Sequence, residues 1–246
     1  MIPWIESHTF FLGPLRLQTW GPFVAIGFLV GAFIAARRAK KKGLNQAYVW
    51  DLAFWAFLAA MIGARLFHVI FYEPVYYLAH PLEIINPFAP GFAIFGGFAG
   101  ATLAVWSFAK RRGLDFLAYA DIMAWGLPWG CGIGRIGCFL IHDHPGTLTS
   151  FVGAVKYPGG ARHDLGLYLS VFGFTLGLIF LLLDRSPRRK GFWVAAFLVA
   201  EGTSRFFLDF LRVADTRYGP FTPTQWAVII IFSLCLLLNK RKKFFS

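Results

Sequence analysis

Apolar residues run along this chain in seven long blocks separated by short polar stretches. The blocks are about Trp20–Ala36, Leu52–Phe71, Gly91–Ala109, Ala118–Ile141, Leu165–Leu183, Gly191–Leu211 and Gln225–Leu238. Most have the roughly 17–25 residues that a helix needs to cross a hydrocarbon core of about 30 Å. The pattern predicts an all-α polytopic membrane protein with about seven transmembrane helices. Residues 1–246 then form a single transmembrane domain with short loops at about 72–90, 142–164 and 212–224. The fourth block carries Pro128 and several glycines and is expected to be interrupted there. Small residues four apart recur at Gly27/Gly31, Gly96/Gly100, Gly130/Gly134 and Gly173/Gly177. That spacing lets helix backbones approach closely in lipid.

Charge refines the picture. Only 15% of the residues are charged and 57% are hydrophobic, against about 25% charged in an ordinary soluble domain. The formal net charge of +12 raises the question of nucleic acid, but its distribution argues against such a partner. The cations gather in four clusters: Arg37, Arg38, Lys40, Lys41, Lys42; Lys110, Arg111, Arg112; Arg185, Arg188, Arg189, Lys190; and Lys240, Arg241, Lys242, Lys243. With seven spans all four fall on one side, which the positive-inside rule makes cytoplasmic. The N-terminus and the three loops are then extracytoplasmic, and the C-terminus is cytoplasmic. Cys131, Cys138 and Cys235 lie in or beside apolar blocks and do not suggest a disulfide framework.

Ionisable residues inside apolar blocks are costly, so they mark the candidate chemistry. Arg65 lies deep in the second block, with His68 and Tyr72 following at i+3 and i+7 on the same face. The fourth block ends Gly132-Ile-Gly134-Arg135-Ile-Gly137-Cys138 and runs into His142-Asp143-His144-Pro145-Gly146. Read literally, the glycines make a GxGxxG, but no strand precedes them, which excludes a dinucleotide fingerprint. They suit the close approach of a lipid headgroup or another helix, and Arg135 can present a planar fork to a phosphate. In the sixth block Glu201, Arg205, Asp209 and Arg212 form one stripe at i, i+4, i+8 and i+11. Such a stripe belongs against the bundle interior or a wet cavity, although a ladder of mutually paired charges would also account for it. His142, Asp143, His144, His163 and Asp164 gather in the second loop. Their spacing reads better as acid–base chemistry than as a metal site, so no cofactor and no resident metal is expected.

Several segments together resemble the prolipoprotein diacylglyceryl transferase family of bacterial inner membranes. They are Ile62-Gly63-Ala64-Arg65-Leu66 through Phe71-Tyr72, Gly91 through Gly96-Gly97, Gly134-Arg135-Ile136-Gly137-Cys138-Phe139, Arg162-His163 through Leu167-Tyr168, Arg205 through Arg212, and Thr224-Gln225. The resemblance implies transfer of a diacylglyceryl group from phosphatidylglycerol to the lipobox cysteine of a lipoprotein precursor, releasing glycerol phosphate. By the same resemblance Arg135 is the signature arginine that meets the headgroup, and Arg205 is a second essential arginine. Asp209 and Asp143 stand at or near family glutamates, and Cys138 stands where many members have Asn. Phe95 replaces a family His, and Ile141-His142-Asp143 replaces an Asn-Gly-Glu.

The expected catalytic set is therefore His142, Asp143, His144, Arg205 and Asp209, with His142 or His144 as base and Asp143 orienting it. The expected substrate-binding set is Arg135, Arg65, Cys138, His163, Glu201 and Arg212. Two other readings fit the same residues: a divergent paralogue acting on an anionic phospholipid with a different acceptor, and a non-catalytic lipid-binding membrane protein. A transporter fits less well, because two related halves with paired broken helices are not evident.

Overall fold

The apolar blocks fold as helices in a computed structural model that describes residues 1–12, 15–86, 91–213 and 216–244. In chain order these are α1 (Trp20–Lys41), α2 (Gln46–Phe71), a short α3 (Pro74–Ala79), α4 (Ile94–Arg112), α5 (Phe116–Ile141), α6 (Leu165–Leu183), α7 (Phe192–Leu208) and α8 (Pro223–Phe244). Three of them, α1, α2 and α6, are long and apolar enough to cross a membrane. Several helices overrun their apolar blocks into the basic clusters. α1 carries Arg38, Lys40 and Lys41 in its last turn, and α4 carries Lys110, Arg111 and Arg112. Cations are favoured there by the negative end of the helix dipole. The side chains of Lys240–Lys243 and of Cys235 lie outside the described residues, as do positions 87–90 and 214–215 of the expected loops.

α5 is the axis of the bundle, packed against α1 on one side and α6 on another. It runs unbroken through Pro128, where an interruption was expected; neighbouring helices make an intrahelical proline tolerable in a membrane. Close approach explains its glycines. A Cβ on Gly130 would stand 2.7 Å from the Gly27 carbonyl oxygen of α1, and one on Gly173 of α6 would stand 2.7 Å from the Gly132 nitrogen. The glycines around Arg135 thus admit helices, with Gly132 facing Phe174 and Gly137 facing Trp20 and Phe23. Ser170 adds a hydrogen bond of 2.8 Å to the Gly132 carbonyl.

Two small sheets decorate the end of the bundle opposite the basic clusters. β1 (Thr9–Leu12) and β2 (Leu15–Gln18) pair antiparallel. β3 (Pro145–Leu148), β4 (Val155–Tyr157) and β5 (Gly160–Asp164) form a second antiparallel sheet in the order β3-β5-β4. The expected loop at 142–164 is thus largely a sheet. Its strands are too short and too polar to have shown alternation. Ile2 extends it, donating to the Ala154 carbonyl at 2.8 Å and accepting from the Lys156 amide at 3.0 Å. The N-terminal residues are thereby drawn over the end of α5.

Candidate functional site

α5 ends at His142, whose backbone takes the left-handed conformation at φ 49° and ψ 40°. A non-glycine residue there is uncommon and needs support from its surroundings. The support is dense. His142 Nδ1 lies 2.7 Å from Asp164 Oδ2, Nε2 lies 3.0 Å from the Ile5 carbonyl oxygen, and Trp4 stacks on the ring at 3.9 Å. Both neighbours of the imidazole accept hydrogen bonds, so neither ring nitrogen is open to a substrate. Asp164 is 1% exposed. It also accepts from the Tyr157 hydroxyl at 2.7 Å and from the Leu167 amide at 2.8 Å, which caps α6. Burial and this carboxylate together push the Tyr157 phenol above its ordinary range. Of the two histidines expected beside Asp143, His142 therefore pairs with Asp164 instead, and His144 is the one that lies next to Asp143.

The turn at His142 carries Asp143 and His144 back toward the signature segment. His144 Nδ1 lies 3.3 Å from Asp143 Oδ1, yet that nitrogen is inaccessible and has no hydrogen-bond partner among the described residues. Burial, followed by the positive fields of Arg135 and Arg212, depresses the His144 imidazole to about 3. The ring is therefore neutral at physiological pH. Burial raises the Asp143 carboxyl, and Arg135 and Arg212 oppose that shift in part. Cys138 Sγ, a carboxylate oxygen of Asp143 and a ring nitrogen of His144 all lie within 4.8 Å of one another. Sequence spacing did not bring Cys138 into this group.

Arg135 sits one helical turn before Cys138, and among the described residues its hydrogen bond goes to that thiol, at 3.6 Å. The opposite charges that act on it are those of Glu201 and Asp143. Arg205 shares the same electrostatic neighbourhood. It is buried and donates from Nε to Glu201 at 2.8 Å, a pair one turn apart on α7. The expected charge stripe breaks beyond this pair, because α7 ends at Leu208 and Asp209–Leu211 form a 3₁₀ turn. Asp209 instead accepts from Thr222 Oγ1 at 2.8 Å. Thr222 and Gln225 close a reciprocal capping box at the start of α8: Gln225 Oε1 accepts from the Thr222 amide at 2.9 Å, and Thr222 Oγ1 accepts from the Gln225 amide at 3.1 Å. Arg212 leaves the helix and pairs through its backbone with Gly146, within electrostatic reach of Asp143 and His144.

Two further expected site residues make contacts within the chain. Arg65, 6% exposed, donates to the carbonyls of Glu83, Ile84 and Gly91 at 2.5, 3.2 and 3.1 Å. It fastens the connection between α3 and α4, a use that an isolated arginine in an apolar block does not announce. His163 Nδ1 meets the Tyr168 hydroxyl at 2.9 Å on the sheet side. Phe95 is buried at the start of α4, edge-on to Phe98, and offers no proton-transfer group. Sequence reading missed the roles of Asp164, Tyr157, Trp4 and Thr222. An Asp directly before the apolar run of α6, and Thr222-Pro-Thr-Gln225 before α8, carry recognisable capping signatures.

The site therefore combines a buried Arg205 and a partly buried Arg135 with a Cys138–Asp143–His144 group that runs from a buried thiol to an exposed carboxylate, at the end of the bundle away from the basic clusters. Comparison with known proteins supplies a family. A family model described as prolipoprotein diacylglyceryl transferase matches residues 7–239. A protein of Geobacter sulfurreducens named phosphatidylglycerol–prolipoprotein diacylglyceryl transferase is 32% identical over 98% of both chains. Proteins of the same name from Pseudoalteromonas atlantica and Chromohalobacter salexigens are 33% and 31% identical, over 88% and 91% of this chain and 79% and 85% of theirs. With its apolar membrane helices and a matched segment covering nearly its whole length, the chain belongs to the prolipoprotein diacylglyceryl transferase family.

Proposed function

We propose that this protein transfers the diacylglyceryl group of phosphatidylglycerol to the lipobox cysteine thiol of a lipoprotein precursor, with release of glycerol phosphate. One observation carries the reading. Arg135 and Arg205 are drawn together in the bundle, and the guanidinium of Arg135 faces a thiol where a salt-bridge partner would be expected. A phosphodiester monoanion supplies the missing acceptors, and bidentate arginine contacts strengthen as charge grows on the departing phosphate. Glu201 holds Arg205 in place and Asp209 fixes the turn beyond it through Thr222. Sulfur attacks the glyceryl carbon, the carbon–oxygen bond to phosphate breaks, and the thiol proton is lost on the side of Asp143 and His144. His142 acts as a positioning residue, with Arg65 and His163 supporting the walls of the site.

The reading includes topology. With seven spans in a single domain, residues 1–246, the N-terminus lies outside, the C-terminus in the cytoplasm and the site on the extracytoplasmic face of the bacterial inner membrane, a topology that the four basic clusters support. Reconstitution with phosphatidylglycerol and a lipobox peptide should yield equal amounts of glycerol phosphate and lipidated peptide. Neither product forming would overturn the proposal. A second reading, transfer to a different acceptor, is favoured by the buried Phe95. It predicts glycerol phosphate release and a new lipid product without the peptide.

A further inference from the structure

We propose that Cys138, Asp143 and His144 form a binding site for a soft divalent cation of the zinc class, with one coordination position left for the acceptor thiol. The site extends the transferase reading and rests on it for the identity of that thiol. Three donors of different chemistry converge here: a thiol, a carboxylate and an imidazole, all within 4.8 Å of one another. This S/O/N set suits zinc or cobalt and disfavours calcium and magnesium, which take oxygen.

The separation of His144 Nδ1 from Asp143 Oδ1 supports the assignment. At 3.3 Å the two atoms are close, but the nitrogen makes no hydrogen bond among the described residues and is shielded from solvent. Two ligands bound at ~2.0–2.1 Å about a tetrahedral ion stand roughly 3.4 Å apart. An ion between them would satisfy a buried nitrogen that is otherwise orphaned, a condition that costs free energy in a folded protein. Sulfur needs a bond of ~2.3 Å, which a side-chain rotation of Cys138 toward the other two would supply. Arg135 donates toward the same sulfur, as groups around a metal-bound thiolate commonly do. Three protein ligands leave a tetrahedral ion with one open position, the arrangement of a catalytic rather than a structural site.

The consequence concerns the acceptor. A thiol entering the open position binds as thiolate and gives up its proton to solvent. Phe95 cannot take that proton, and His142 is committed to Asp164 and Ile5.

The test uses the full-length protein in detergent, stripped with a chelator and titrated with Co²⁺ alone. One Co²⁺ per chain with a sulfur-to-cobalt charge-transfer band is expected, and C138S should weaken binding by about a hundredfold. Addition of a small cysteine-containing peptide should then intensify and shift the band. In the unmutated protein Zn²⁺ should slow alkylation of Cys138 at least about tenfold while leaving Cys131 unaffected. Absence of Co²⁺ binding, a band that survives in C138S, or equal protection of Cys131 would overturn the site. A band unmoved by the peptide would overturn its open position. None of these readouts needs turnover, so loss of the transferase reading would show separately, as Co²⁺ binding without glycerol phosphate release.

Discussion

The two ends of the helix bundle both bury ionised side chains, and they dispose of them differently. At the basic end Arg38 makes a bidentate pair with Asp184 at 2.8 and 2.7 Å and stacks over Trp125 at 3.4 Å. Asp121 accepts from the amides of Gly191, Trp193 and Val194 at 2.7, 2.9 and 3.0 Å, capping α7 from another helix. Those groups are matched within the chain. At the opposite end Arg135 has a thiol for its hydrogen-bond partner and His144 Nδ1 has none among the described residues. A buried polar nitrogen without a partner is expensive. A site that tolerates it is shaped for something the chain does not itself supply, and the matched end has no such need.

Substitutions can break that contrast. The largest effect is expected from Glu201→Gln, which leaves Arg205 buried without its carboxylate. Loss of one partner of a buried pair costs about 3–5 kcal/mol, so a marked fall in the thermal midpoint should follow. Next comes Arg135→Lys, which keeps the charge but loses the fork. Transfer should drop about 10²–10³-fold while the midpoint stays near that of the unmutated protein. Arg38→Lys should do the reverse, lowering the midpoint with little change in rate per folded molecule. Equal behaviour of the two arginine variants would erase the distinction between the ends.

A smaller effect is expected from pH. The unfolded chain protonates His144 near its ordinary 6.5, and the folded chain only near about 3. Acid therefore favours the unfolded state. The stability held above about pH 6.5 should decline as pH falls toward 3, and His144→Gln should flatten that part of the midpoint-against-pH curve. The smallest effect is expected from Thr222→Ala, which removes a cap worth about 1 kcal/mol. It also releases Asp209, so the midpoint should fall slightly and the rate with it.

Much of the architecture was readable from spacing, because long apolar blocks leave a strong signal. The helices fall on the predicted blocks, and Gly27, Gly96, Gly130 and Gly173 sit where helices meet. The sheet of residues 145–164 was not readable, since strands of three to five residues leave no periodicity. At the site, type and position were visible for Arg135, Arg205, Asp143 and His144. Partners were not. The choice of Asp164 over Asp143 for His142 depends on a left-handed turn and on Trp4, which lies 138 positions away in sequence. The stripe from Glu201 to Arg212 assumed an unbroken helix, and the 3₁₀ turn at Asp209 ended it. The backbone carbonyls that fold over Arg65 were likewise not visible in the sequence.

The central claim is that Arg135 and Arg205 together hold the phosphate of an anionic phospholipid. The most direct measurement is a structure of the protein in nanodiscs containing phosphatidylglycerol. The account predicts a headgroup phosphate within hydrogen-bonding distance of both guanidinium groups, lost in the Arg135→Lys variant. A headgroup bound away from these two guanidinium groups would contradict it.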